Sequence, residues 1–142
     1  MTEQLIYSLI DAARQARESA YAPYSGFWVG SALLCEDGTC FTGCNIESAA
    51  YSPTLCAERT AFSAAVCAGQ RRFRAIAVVG GPRGGAAKSC APCGVCRQVM
   101  AEFCSPDFVI ILPSEGYIYE KTDLRSLLPM AFGPYMLGDK RV

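Results

Sequence analysis

Two short apolar runs do most to fix the fold class of this 142-residue chain. Residues 74–81, RAIAVVGG, and residues 108–112, FVIIL, are too short for buried helices and rich in β-branched side chains, so both read as buried strands. Between them Gly94 to Phe103 reads as a helix. Strand, helix, strand in that order implies a parallel pair with a right-handed crossover. Upstream, GFWVGSALLC and TCFTGCNIE are strand-like and joined by Glu36-Asp37-Gly38, a hairpin turn. Thr2 caps a first helix whose Leu5, Ile6, Leu9, Ile10 and Ala13 share one face, and Tyr21-Ala22-Pro23 stops it. A second helix opens at Pro53 or Thr54 and runs to Val66 or Cys67, with Gly69 as its stop. YIYE (117–120) adds an edge strand, and TDLRSLL (122–128) a short capped helix before Pro129. The expectation is an α/β architecture, one mixed sheet with helices packed on it, in a single domain over 1–142.

Composition narrows the function. A chain of this length that is 51% hydrophobic has apolar surface enough for a core without staples. Nine cysteines are an odd number, below the density of a disulfide scaffold, which suits a reducing cytoplasm. The opening MTEQLIYSLIDAARQ has no basic leader before an apolar stretch, and no run has the length of a membrane span. Thirteen basic and thirteen acidic residues leave zero formal charge, without the electrostatic footprint that nucleic acid demands. A small, weakly charged or neutral ligand fits better than a polymer or a membrane.

The stretch CAPCGVCR at 90–97 holds two overlapping CxxC pairs, which cannot both be one metal clip. Cys93 and Cys96 follow Pro92 at a helix opening, where their spacing puts both sulfurs on one side of the first turn and the helix dipole favours thiolates. Cys90 lies before the proline and is the bystander. Cys56, in the first turn of the preceding helix, supplies a third sulfur, and the chain has no histidine to supply a fourth ligand. Three protein ligands leave one position open, as in a catalytic zinc site. The alternative is a closed four-cysteine site recruiting Cys90 or Cys104, in a zinc-stabilised interaction module without catalysis. Glu58 opposes it, because a carboxylate beside a metal-activated water can move protons. GPRGGAAKS, after a strand, looks like a phosphate-binding loop, but Ala87 stands where that motif needs glycine.

Cys56-Ala57-Glu58 followed by Pro92-Cys93-Gly94-Val95-Cys96 resembles the three-cysteine signature of the zinc nucleoside deaminases. Beyond that signature, PYSGFWVGSALL (23–34), TGCNIESAAYSPTLCAERTA (42–61), APCGVCRQVMAEF (91–103) and LLPMAF (127–132) are similar, in order, to blocks of the small homotetrameric cytidine deaminases. The resemblance implies a three-layer helix/sheet/helix fold around a mixed five-stranded sheet. It implies one zinc per subunit, held by Cys56, Cys93 and Cys96, and hydrolytic deamination of cytidine and deoxycytidine, a pyrimidine-salvage reaction. Glu58 would carry protons from a zinc-activated water to ring N3 and then to the departing amine. Asn45 and Glu47 match residues that hold ribose hydroxyls, Phe27 an aromatic that packs on the pyrimidine, Ala57 a backbone contact to the base, and Tyr51 a residue at the site's edge. Phe132 matches an aromatic that enters a neighbouring subunit's pocket, so the active site would require assembly.

Three thiolates around Zn²⁺ leave a net charge of minus one, which weakens the pull on water unless something offsets it. Arg59 and Arg97 adjoin Glu58 and Cys96 and are placed to donate to thiolate sulfur, as the resemblance implies for Arg59. Gly26, Trp28 and Ser31 depart from the first block, and Gly26 leaves the turn before Phe27 looser. Cys35, Cys40, Cys44, Cys67, Cys90 and Cys104 have no assigned task and read as small buried hydrophobes. A deaminase acting on an aminonucleoside antibiotic such as blasticidin S would share the zinc triad and Glu58, but the ribose-binding acid Glu47 argues for a plain nucleoside.

Overall fold

The structure is a computed structural model that describes residues 1–138; the expected domain end at 142 lies outside the described residues. Thr2 Oγ1 accepts from Leu5 N–H and starts helix α1 (Glu3–Arg17), which buries Ile6, Leu9, Ile10 and Ala13. Strands β1 (Phe27–Cys35) and β2 (Cys40–Cys44) form the antiparallel hairpin, with Gly38 at φ 90° in its turn. Helix α2 (Ala57–Cys67) precedes β3 (Phe73–Pro82), and helix α3 (Gly94–Phe103) precedes β5 (Val109–Pro113). β3 and β5 are parallel, Ala75 opposite Val109, as the strand, helix, strand order implies. β6 (Tyr119–Asp123) pairs antiparallel with β5, and Asp123 then caps the short α4 (Leu124–Leu127) by accepting from Ser126 N–H.

The mixed sheet runs β2-β1-β3-β5-β6, the five strands expected, and a sixth joins it. β5 pairs with β3 only as far as Ala77, so the free edge at Val79 and Gly80 takes Lys88–Ser89 as a two-residue strand, β4. Strand alternation sorts the core into two layers. Leu33, Ile76, Val78 and Ile110 face α2 and α3, where Phe62 packs on Phe73 at 4.9 Å between ring centroids. Ala32, Leu34, Ala77, Val79 and Ile111 face α1. Burying each of the large side chains removes it from water for about 1.5–3 kcal/mol. Among the described residues no helix is long and apolar enough to cross a membrane.

α2 starts later than its sequence suggests. Leu55 and Ile46 exchange backbone hydrogen bonds, each 2.9 Å, and Thr54 Oγ1 accepts from Ser48 N–H. Pro53 is therefore in a turn and Leu55 in a bridge to Ile46, and Cys56 becomes the N-cap instead of a first-turn residue.

Candidate active site

Two helix starts meet at the sulfur cluster. Cys56 caps α2 and Cys93 caps α3, both in extended backbone, and neither side chain bonds its own helix, so both sulfurs are spare. Cys96, one turn on and 1% exposed, completes the group. Cys93 Sγ lies 3.6 Å from both Cys56 Sγ and Cys96 Sγ, and all three atoms fall within 4.8 Å of one another. Thiolates about 2.3 Å from a tetrahedral zinc stand about 3.8 Å apart, so this donor set fits the ion with little adjustment. Among the described residues Cys56, Cys93 and Cys96 form the metal-competent grouping, without Cys90 or Cys104. Cys104 sits at the far end of α3 in the apolar core. All nine cysteines are free thiols, and of the six expected as buried hydrophobes only Cys35 and Cys104 are buried, Cys44 and Cys90 being half-buried and Cys40 and Cys67 exposed.

Glu58, on the first turn of α2, is 3% exposed. Burial pushes its carboxyl up to about 7, with the negative Cys56 adding to the rise and its own backbone N–H opposing it. Cys56 is drawn down to about 5, chiefly because Cys96 donates to it and Arg59 supports the charge, while Cys96 is correspondingly raised. Arg59 Nη2 reaches Cys56 Sγ at 3.7 Å and donates to Thr54 O at 2.9 Å, and its buried Nε has no hydrogen-bond partner among the described residues. Arg97 does not point at a thiolate as expected. Its Nε donates to Pro92 O at 2.6 Å and its Nη1 to Leu127 O at 2.7 Å. Adjacent residues on a helix diverge by about 100°, which turns Arg97 away from the face Cys96 occupies.

A second group gathers at the start of β1. Asn45 Nδ2 donates to Phe27 O at 2.9 Å and its Oδ1 accepts from Val29 N–H at 2.8 Å, so the amide acts as a strand partner for Phe27–Val29. One Asn45 N–H is left over. Glu47 accepts from Tyr24 N–H, Ser25 N–H and the Ser25 hydroxyl. The Phe27 ring lies over Gly80, where an added Cβ would stand 2.7 Å from Phe27 Cε1 and 2.9 Å from Cys90 Sγ. Cys90 is pushed up to about 11 by burial and then by the negative charges of Glu58, Cys56 and Cys93. Ala57 is fully buried and its carbonyl accepts from Ser31 Oγ at 2.9 Å.

Tyr51 and Phe132 are exposed rings, 75% and 55% accessible; Tyr51 lines the same cleft as Glu47, whereas Phe132 stands apart from this grouping. Tyr51 adopts φ 57° and its ring neighbours Tyr24 at 6.2 Å, while Gln98 holds the Phe132 carbonyl. Ser31, Gly43 and Arg17 also shape the site, and sequence reasoning gave them no role. Ser31 anchors the first residue of α2, and a polar residue inside the apolar run FWVGSALLC was its signal. Gly43 admits α2 so closely that a Cβ would stand 2.3 Å from Ala57 O. Arg17, 6% exposed, ties α1 to Trp28 O, Pro82 O and Gly85 O. The Trp28 departure has a local partner, the Arg83 guanidinium, 5.0 Å above its ring.

Residues 4–112 match the family model described as the cytidine and deoxycytidylate deaminase zinc-binding region. A cytidine deaminase of Sporosarcina psychrophila is 51% identical over 127 residues, 89% of this chain and 90% of that protein. Another, from Halalkalibacterium halodurans, is 50% identical over 132 residues, 92% of this chain and 96% of that protein. Among solved structures, a cytidine deaminase from Burkholderia pseudomallei superposes with a TM-score of 0.82 at 48% identity, over 93% of this chain and all of that one. One from Mycobacterium tuberculosis gives 0.78 at 41% identity, over 90% and 97%. With the sulfur cluster and the α/β fold in agreement, the chain belongs to the cytidine and deoxycytidylate deaminase zinc-binding family.

Proposed function

We propose that this chain, as one domain, hydrolyses cytidine and 2′-deoxycytidine to uridine and 2′-deoxyuridine with release of ammonia. The reading extends to pyrimidine salvage in the cytoplasm by a homotetramer carrying one zinc per subunit. The observation that carries it is a buried carboxylate, Glu58, packed against an incomplete three-sulfur cage. Cys56, Cys93 and Cys96 would hold the zinc, which when bound supplies a Lewis acid that makes water nucleophilic at neutral pH. Glu58 would take one proton from the attacking water and pass it to N3 as the water oxygen bonds to C4, then move that oxygen's remaining proton to the exocyclic nitrogen, so that the C4 carbonyl forms as the C4–N bond breaks and ammonia leaves. Phe27 packs on the pyrimidine, the first N–H groups of α2, from Ala57 onward, face the base, and the spare Asn45 N–H and Glu47 lone pair take ribose hydroxyls. The exposed Tyr51 and Phe132 rings suit a role in sites shared between subunits. Arg59 neutralises thiolate charge, and Arg97 steadies the loop before Cys93.

The test follows the ultraviolet absorbance of cytidine with purified protein while zinc per chain is counted. Wild-type protein should turn cytidine over, and Glu58→Gln should retain zinc while losing about 10²–10⁴-fold in kcat. Zinc-replete protein without turnover would refute the reading, as would a fully active Glu58→Gln variant.

A further inference from the structure

Ser25 lies between two residues that the proposed function uses, and it bonds to both. Its Oγ donates to Glu47 Oε1 and accepts from Phe27 N–H at 3.0 Å. Its own N–H donates to Glu47 Oε2 at 3.1 Å, beside Tyr24 N–H at 2.9 Å. The direction of the hydroxyl proton is fixed by charge. The Ser25 hydroxyl first, and then the Tyr24 and Ser25 N–H groups, hold the Glu47 carboxyl below its usual range, so it is ionised and can only accept. The single Ser25 hydrogen therefore points at Glu47, and a lone pair on the same oxygen meets Phe27 N–H.

A carboxylate offers about four acceptor sites, of which these donors fill three. Glu47 opens on a cleft of about 410 Å³ lined by Tyr24, Ser25, Ser48, Tyr51 and Thr54. Backbone hydrogen bonds hold Gly26 itself, its N–H donating to Ala22 O at 3.0 Å and its carbonyl accepting from Arg83 N–H at 3.3 Å. Gly26, between Ser25 and Phe27, has φ 65°, and nothing lies within 4 Å of the place a Cβ would occupy. Phe27, the next residue, is held by side-chain hydrogen bonds as well, with Ser25 on its N–H and Asn45 on its carbonyl.

We propose that Ser25 is a positioning residue whose one hydroxyl couples the Glu47 carboxylate to the Phe27 backbone, making sugar recognition and base packing a single unit. The inference rests on the proposed function, and it assigns Ser25 to ground-state binding. Ser25→Ala should raise KM for cytidine about tenfold, with kcat within twofold and zinc per chain unchanged, whereas Ser25→Thr, which keeps the hydroxyl, should restore KM. Carbon-13 NMR titration of the Glu47 carboxyl gives an arm independent of turnover: its pKa should rise in Ser25→Ala and hold in Ser25→Thr. An unchanged KM in Ser25→Ala overturns the proposal. So does equal damage from Ala and Thr, which would mean packing, or a fall in kcat with loss of zinc, which would place Ser25 in the metal centre. If wild-type protein does not turn over cytidine, the functional reading fails, and the NMR arm alone decides whether Ser25 holds Glu47.

Discussion

Replacing Gly43 by Ala should damage the metal site without touching a ligand. Gly43 sits in β2 beneath the first turn of α2, and a Cβ there would stand 2.3 Å from Ala57 O and 2.5 Å from Ala61 N. Both are backbone atoms, so no side chain can rotate away. Ordinary contact begins near 3.4 Å, so the helix start must retreat by roughly 1 Å. Overpacking of this kind costs about 1–3 kcal/mol, and about 2 kcal/mol in a domain of this size lowers Tm by about 8 °C. Cys56 immediately precedes Ala57, and metal–sulfur distances tolerate only about 0.2 Å. Zinc affinity should therefore fall about 10–100-fold, as it does when supporting groups around a metal are lost. The control is Gly30→Ala, whose Cβ would stand 2.1 Å from Ala13 O on the α1 side of the sheet. It should lower Tm comparably in thermal unfolding and leave zinc affinity, read by competition with a chromophoric chelator, unchanged. Equal zinc loss in the two variants, or none in Gly43→Ala, would refute the link between helix placement and the cage.

Arg59→Gln removes the cation 3.7 Å from Cys56 Sγ and leaves the cage more negative, so the activating proton is harder to remove. The pH of half-maximal turnover should rise by about one unit, the equivalent of one charge-assisted hydrogen bond of about 1.5 kcal/mol, and an unchanged pH profile would show that Arg59 has no such role. Asn45→Ala strips partners from Val29 N–H and Phe27 O; it should cost about 1–3 kcal/mol in denaturant unfolding and raise KM for cytidine, and a variant of wild-type stability would contradict the strand-partner role.

What was legible in the sequence was what local pattern controls. The parallel β3–β5 pair follows from two apolar runs around a helix, and α3 begins at Gly94 because Pro92 and the CxxC spacing mark its start. The sulfur cage was legible for the same reason, since each ligand lies at a helix opening. Features that depend on distant partners were not. The start of α2 is delayed by pairing between Leu55 and Ile46, nine residues apart, and β4 exists only because β3 outruns β5. Ser31 and Gly43 carry no chemistry of their own and acquire a role only when β1 and β2 meet α2. Arg97 looked like a thiolate partner because it adjoins Cys96 in sequence, but adjacency along a helix is divergence around it.

That divergence fits the charge balance of the site. Zinc with three thiolates carries minus one, and an ionised Glu58 brings the buried centre to minus two. Against this stand Arg59 and the starts of two helices of eleven and ten residues, each start equivalent to about half a positive charge. Cys56 and Cys93 occupy the two caps without bonding their own helices, so those helix N–H groups keep their positive potential for the cluster. The positive contributions together come to about plus two, and the balance closes without Arg97. A second guanidinium on the sulfurs would leave the centre positive and hold the Glu58 proton less firmly, which would weaken Glu58 as the base that takes a proton from water. Arg97 instead spends its donors on Pro92 O and Leu127 O, fixing the segment that aims Cys93. On the proposed function the two arginines would divide the work: Arg59 would set the potential at the cage and Arg97 its shape.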